Sequence, residues 1–167
     1  MAQLTHHPNR LQQFLQFVPK SKPGAWFSAR TLHHFDRPLL RMTHGRRSLT
    51  SLMSGLPVVT VTTLGAKSGQ PRSLPLIAIP NGENVMLIAS NFGQHHHPAW
   101  YYNLRAHSEV QLTYEGKTVA YLARETEGAE RECCWQRAVN GYAGYTSYKE
   151  RAKHREIGVF LLTPQTN

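Results

Sequence analysis

The chain predicts an α+β fold: a small antiparallel β-barrel of about six strands with peripheral helices. Three observations carry this. Short β-branched runs recur from residue 56 onward with turn residues between them. Helical patterns fall before, between and after those runs rather than alternating with them one by one. The chain has 167 residues, enough for one domain that buries roughly 70% of its unfolded surface.

Residues 1–23 are polar and carry three prolines, so they read as an N-terminal arm. Within it Leu11, Phe14, Leu15 and Val18 share one helical face, flanked by Arg10, Lys20 and Lys22. This short amphipathic segment suits docking on the domain or a peripheral membrane contact, and its shortness favours docking. Residues 24–167 form a single domain. Residues 24–43 read as a helix ended near Pro38 and followed by Gly45.

Residues 56–64, LPVVTVTTL, then form the first strand. Residues 65–71 are a turn, 72–79 a second strand, Asn81-Gly82 a turn, and 85–90 a third strand. Pro98 opens a helix over 97–106. Residues 109–114 and 117–124 make a hairpin about Glu115-Gly116. Thr126, with Glu130 nearby, opens a helix to about Asn140, and a shorter one covers 144–152. Residues 157–162 are the last strand.

The charge is uneven: 19 Lys+Arg against 10 Asp+Glu, for +9 with histidine neutral. Asp36 is the only aspartate, which removes aspartic dyads, calcium loops and Walker-type magnesium sites. No Ser-His-Asp or Cys-His arrangement is supported. No apolar run reaches membrane-spanning length and the first residues lack a signal-peptide pattern, so a cytoplasmic protein is expected. Cys133 and Cys134 are adjacent and read as helix thiols, one inward and one outward.

The positive excess calls for an anionic partner. Between Arg37 and Gly82 there is no acid at all. Lys67 and Arg72 flank a tight turn with Ser68 and Gly69 between them, which suits a phosphate as well as a solvated hairpin tip. His95, His96 and His97 are consecutive and therefore point apart, so no metal site is assigned. Trp100, Tyr101 and Tyr102 cannot all face the core. Tyr142, Tyr145 and Tyr148 recur every third residue between glycines, as core packing or as an aromatic wall beside a pocket. A cofactor that brings its own redox chemistry asks of the protein only an anion site, a planar slot and orientation.

TTLGAKSGQPRSLPL (62–76), IASN (88–91), HPAWYYNL (97–104) and the three tyrosines, in this order, resemble the deazaflavin-dependent nitroreductase family. The likeness covers about residues 50–164 and implies a split β-barrel oxidoreductase using reduced coenzyme F420, an 8-hydroxy-5-deazaflavin with a phospholactyl-polyglutamate tail. It implies that Lys67, Ser68 and Arg72 hold the cofactor phosphate and that Ser73, Leu74, Pro75, Leu76 and Ile77 run along the ring. It further assigns Ile88, Ala89, Ser90 and Asn91 to the cofactor through a strand end, and Ala99, Trp100, Tyr101, Tyr102 and Asn103 through a covering helix. Tyr142, Tyr145 and Tyr148 would be catalytic residues at the substrate pocket, with Tyr145 also at the cofactor. Two departures from the family pattern are Ala66, where a basic residue is frequent, and Phe92, where glycine is frequent.

The expected activity is hydride transfer to a small-molecule acceptor: an enone, a quinone or a nitroaromatic. An FMN-dependent split-barrel reductase or oxidase is the alternative enzyme. A non-enzymatic basic protein binding anionic lipid or nucleic acid is the alternative of another class. Nucleic acid is disfavoured because the aromatic residues cluster apart from the Lys and Arg residues. Monomer and homodimer stay open.

Overall fold

A computed structural model describes residues 57–165. The helices expected at 11–18 and 24–43 lie outside the described residues. The elements run β1 (Val58–Leu64), β2 (Pro71–Ile77), β3 (Ile79–Asn81), β4 (Asn84–Ile88), a 3-10 turn (Asn91–Gly93) and α1 (Ala99–Ala106). Then come β5 (Glu109–Tyr114), β6 (Lys117–Glu125), α2 (Gly128–Gly141), α3 (Gly144–Arg151) and β7 (Val159–Pro164). Every strand pairing is antiparallel, in the order β2-β1-β5-β6-β7-β4-β3.

The two ends of this order, β2 and β3, are consecutive in the chain with only Ala78 between them. One expected strand, 72–79, is therefore divided. Its first part pairs with β1, Ile77 lying opposite Val58, and its second with β4, Ile79 lying opposite Met86. The Ala78 N–H leaves the ladder and donates to the Pro57 carbonyl at 2.9 Å. Side-chain alternation nevertheless continues through the bend. Leu74, Leu76 and Ala78 face one apolar cluster, Ile77 and Ile79 the other. A single bent strand thus bridges both edges and curls the sheet into the expected barrel.

Period-2 patterning separates two apolar layers. Val59, Val61, Val85, Leu87, Val110, Leu112, Phe160 and Leu162 fill the barrel with Trp100 and Leu104 of α1. The opposite faces of β4 and β7, Met86, Ile88, Val159 and Leu161, meet α2 and α3 through Cys134, Trp135, Ala138 and the three tyrosines. β4 and β7 are buried on both faces, which explains their near-continuous apolar sequence. Cys133 is exposed and Cys134 buried, as helical geometry requires of neighbours.

Thr126 does not open α2. The residue preceding that helix is Glu127, which makes no side-chain cap. Thr126 is instead buried, and its N–H and Oγ1 both donate to the Val159 carbonyl, at 2.8 and 3.0 Å. It extends the β6–β7 contact inward, a tertiary use that a local capping pattern does not reveal. β7 also begins two residues later than 157, because Ile157 belongs to the cluster beneath α2.

Candidate functional site

Strand β1 ends at a turn locked by its own backbone. Gly65 N–H donates to the Gln70 carbonyl at 2.9 Å and Gly69 N–H to the Gly65 carbonyl at 2.8 Å. Gly69 has φ of +63°, a value that disfavours any side chain. The Ser68 hydroxyl accepts from the Gln70 N–H at 3.3 Å. Lys67, Ser68, Arg72 and Ser73 are exposed. Neither Lys67 nor Arg72 has an ion-pair partner among the described residues. Two cations without an ion-pair partner among the described residues and a hydroxyl, held on a hydrogen-bonded turn, are the groups that an anion site uses.

The turn is held from behind by α1. Asn103 is buried; its Nδ2 donates to Thr63 Oγ1 and its Oδ1 accepts from the Ala66 N–H, each at 3.0 Å. The Asn103 amide is thus spent on positioning the turn. The other residues of α1 divide by face. Trp100 and Tyr101 are buried and edge-packed on Phe160 at 5.9 and 5.6 Å between ring centroids. Ala99 and Tyr102 are exposed, Tyr102 by 50%. Of the three consecutive aromatics, Tyr102 is the one offered to the surface.

From the turn, β2 runs away along an edge that pairs only with β1 among the described strands. Its N-terminal residues are exposed and residues 74–77 half-buried. Ser73 is tied to Thr62 by a hydroxyl pair at 2.8 Å. Pro71 and Pro75, which lack N–H groups, are tolerated there because the strand is an edge. Its remaining free backbone groups can meet the polar rim of a flat ligand.

The end of β4 is fixed differently. Ala89 is fully buried, with Ile88 and Ser90 nearly so. Beyond them Asn91, Phe92 and Gly93 have φ of 45°, 54° and 79°, three left-handed residues in succession. Basic side chains brace the carbonyls of this segment. Arg155 donates to Ser90 O at 2.8 Å, Gln94 O at 3.0 Å and Ala89 O at 3.4 Å; Arg151 donates to Phe92 O at 3.1 Å. A Cβ on Gly93 would stand 2.9 Å from the Tyr148 carbonyl, so only glycine fits against α3. Asn91 turns inward on its own loop, donating to His96 O at 3.0 Å.

The three histidines separate as adjacency demands. His95 stacks on His154 at 4.2 Å and His97 on Tyr101 at 3.9 Å, while His96 faces Asn91. Partial burial, then the charges of Arg155 and Arg105, push the His97 pKa down and favour its neutral form.

Tyr142, Tyr145 and Tyr148 are all buried and packed on one another with centroids 5.2 to 6.1 Å apart, Tyr145 edge-on to the other two and Tyr142 tilted against Tyr148. The rings are core, as the packing reading of the triplet expects. The hydroxyls of Tyr142 and Tyr148 pair at 3.1 Å; among the described residues that of Tyr145 has no hydrogen-bond partner. Burial raises all three pKa values, most for Tyr148 and Tyr145, so the phenols stay protonated.

The bracing arginines went unrecognised in the sequence. Arg151 and Arg155 are four residues apart and follow the tyrosine helix, a spacing that marks a shared face but not its partner. The described residues thus offer a turn with two cations and a hydroxyl, a strand edge with no second partner among the described strands, and three buried, protonated phenols. That set fits a ligand with a phosphate-bearing tail and a flat ring beside a reducible molecule.

Comparison with known proteins gives the same direction. Residues 33–164 match the family described as F420H(2)-dependent quinone reductase. An F420H2-dependent quinone reductase of Mycobacterium tuberculosis is 31% identical over 110 residues, 64% of this chain and 73% of that protein. A solved F420-H2 dependent reductase is 38% identical with a TM-score of 0.58, over 64% of this chain and 93% of its own. A solved domain-swapped dimer is 32% identical with a TM-score of 0.60, over 84% and 99%. The chain belongs to the F420H2-dependent quinone reductase family, split-barrel oxidoreductases whose cofactor is coenzyme F420.

Proposed function

We propose that the protein reduces a quinone-type acceptor with reduced coenzyme F420, the acceptor lying against the tyrosine cluster. The observation that carries this is the locked turn with two exposed cations that, like the edge of the strand β2 that follows it, find no further partner among the described residues. Lys67, Ser68 and Arg72 hold the phosphate of the tail, and Asn103 holds the turn in place. Ser73 to Ile77 of β2, Ile88 to Asn91 at the end of β4, and Ala99 and Tyr102 of α1 would hold the cofactor's ring. The bound deazaflavin supplies a hydride. The protein then has to complete the reduction with a proton and exclude water from the reacting face.

Tyr145 suits the first task. Its hydroxyl is free of the Tyr142–Tyr148 pair and burial keeps it protonated. It donates a hydrogen bond to the acceptor oxygen, where negative charge develops as the hydride arrives. Quinone and hydride give the hydroquinone monoanion, and one proton, passed through the Tyr145 hydroxyl and replaced from water, completes the hydroquinone. Enones and nitroaromatics present the same kind of oxygen and are the next acceptors to try. The test is anaerobic oxidation of reduced F420 by 1,4-naphthoquinone. Turnover with a quinone supports the reading; binding of F420 without reduction of any quinone refutes it.

Two further expectations belong here. A homodimer is supported by the domain-swapped relative, and light scattering decides it. A peripheral membrane contact rests on Leu11, Phe14, Leu15 and Val18 beside Arg10, Lys20 and Lys22. Sedimentation with anionic liposomes, with and without residues 1–23, tests it. No helix among the described residues is long and apolar enough to cross a membrane.

A further inference from the structure

We propose that Phe92 sets the width of the electron acceptor that the tyrosine cluster admits; this rests on the quinone reading above. Phe92 stands at φ 54° between two other left-handed residues. Asparagine and glycine tolerate that backbone, whereas a phenylalanine there persists only where the surroundings hold it. Here they do. Arg151 donates to the Phe92 carbonyl at 3.1 Å, and the Gly93 N–H closes onto Ser90 O at 2.9 Å. Gly93 is pressed on the backbone of α3. The loop therefore cannot swing its aromatic ring away without breaking several contacts.

The ring is aimed at the site. It meets Tyr148 edge-on, centroids 5.7 Å apart and planes at 68°, and Ile77 of β2 packs against the same cluster. Tyr148 is sandwiched, with the Arg151 guanidinium 5.2 Å from its ring centroid. Phe92 is only partly buried, unlike the tyrosines it touches. A half-exposed aromatic ring on a strained and cross-braced backbone is a fixed wall. It narrows the approach to Tyr145 and Tyr148, so a flat single-ring acceptor passes more readily than one bearing a bulky substituent.

The experiment compares wild type with Phe92→Gly and Phe92→Asn, both suited to a left-handed backbone, so that failure of one to fold leaves the other. Acceptors are 1,4-benzoquinone and 2-methyl-1,4-naphthoquinones with 3-alkyl chains of increasing length. The ratio of kcat/KM for the widest to the narrowest acceptor should rise about tenfold or more in both variants, the size of effect a pocket wall exerts. The dissociation constant of the widest naphthoquinone, read from quenching of protein fluorescence with oxidised F420 bound, should fall in parallel. The affinity for F420 itself should stay within about twofold, because each 1.4 kcal/mol is a factor of ten and no cofactor contact is removed. An unchanged ratio in folded variants overturns the proposal. So does a tenfold weaker F420 complex, which would put Phe92 on the cofactor side. Wild type that binds F420 yet reduces no quinone overturns the quinone reading first, and this one with it.

Discussion

Replacing Asn103 by alanine separates a positioning residue from a contact residue. Its amide makes two hydrogen bonds of 3.0 Å, to Thr63 Oγ1 and from the Ala66 N–H, and both the residue and Thr63 are buried. The substitution strands a buried hydroxyl and loosens a turn N–H. Each orphaned buried group costs about 1–3 kcal/mol, and the part-buried N–H falls at the low end because water reaches it. The sum is about 2–4 kcal/mol. With a urea slope of about 1–3 kcal/mol per molar, the unfolding midpoint should fall by about 1–2 M. The turn carrying Lys67, Ser68 and Arg72 should lose its fixed geometry, so the F420 dissociation constant should rise about tenfold or more although Asn103 is not placed on the cofactor. Asn103→Asp is the discriminating control. Its carboxylate still accepts from Ala66 N–H, and the Thr63 hydroxyl can rotate to donate to it, so binding should recover more than in Asn103→Ala. The assays are urea denaturation followed by far-UV circular dichroism and an equilibrium F420 titration. Lost stability with unchanged F420 affinity would refute the link between this buried amide and the anion site.

Lys67→Ala and Arg72→Ala should each weaken F420 binding about tenfold, from loss of a charge-assisted contact, with the double variant worse and added salt weakening wild type. Tyr145→Phe should lower kcat about ten- to a thousandfold while F420 affinity and melting temperature hold, because only a hydroxyl without a protein partner is removed; equal turnover would assign the proton to solvent alone. The depressed His97 pKa makes the unfolded chain bind more protons than the native one as pH falls through the ordinary histidine range. Stability should therefore drop from pH 7.5 toward about 5.5, and His97→Gln should flatten that slope; an unchanged slope would put the acid sensitivity elsewhere.

Much of this was legible because local chemistry and tertiary role coincide. The β1 and β5–β6 strands follow from β-branched runs and a two-residue turn, and α1 from Pro98. The turn at 65–71 was visible from its glycines, and its exposed Lys67 and Arg72 follow from a stretch without acids. What failed to show was set by partners distant in the chain. Strand 72–79 divides at Ala78 because β4 and Pro57 compete for its backbone. Thr126 looks like a helix cap and serves β7 instead. Asn103 has nothing local to announce that it reaches Thr63 and Ala66, 40 and 37 residues away. Nothing local marks Arg151 and Arg155, which brace the carbonyls around Phe92 from about sixty residues further along the chain. The tyrosine triplet was ambiguous for a physical reason: a phenol ring packs like any core side chain while its hydroxyl keeps a hydrogen bond to give, as Tyr142 and Tyr148 do to each other.

The most direct test of the account is competitive binding to the purified full chain. Oxidised coenzyme F420 and FMN are titrated separately, each followed by fluorescence at low and moderate salt. The account predicts saturable F420 binding that weakens with salt, and FMN binding at least about a hundredfold weaker, since the long anionic tail on the Lys67–Arg72 turn distinguishes the two. FMN binding as tight as F420, or F420 binding indifferent to the loss of both cations, would contradict it.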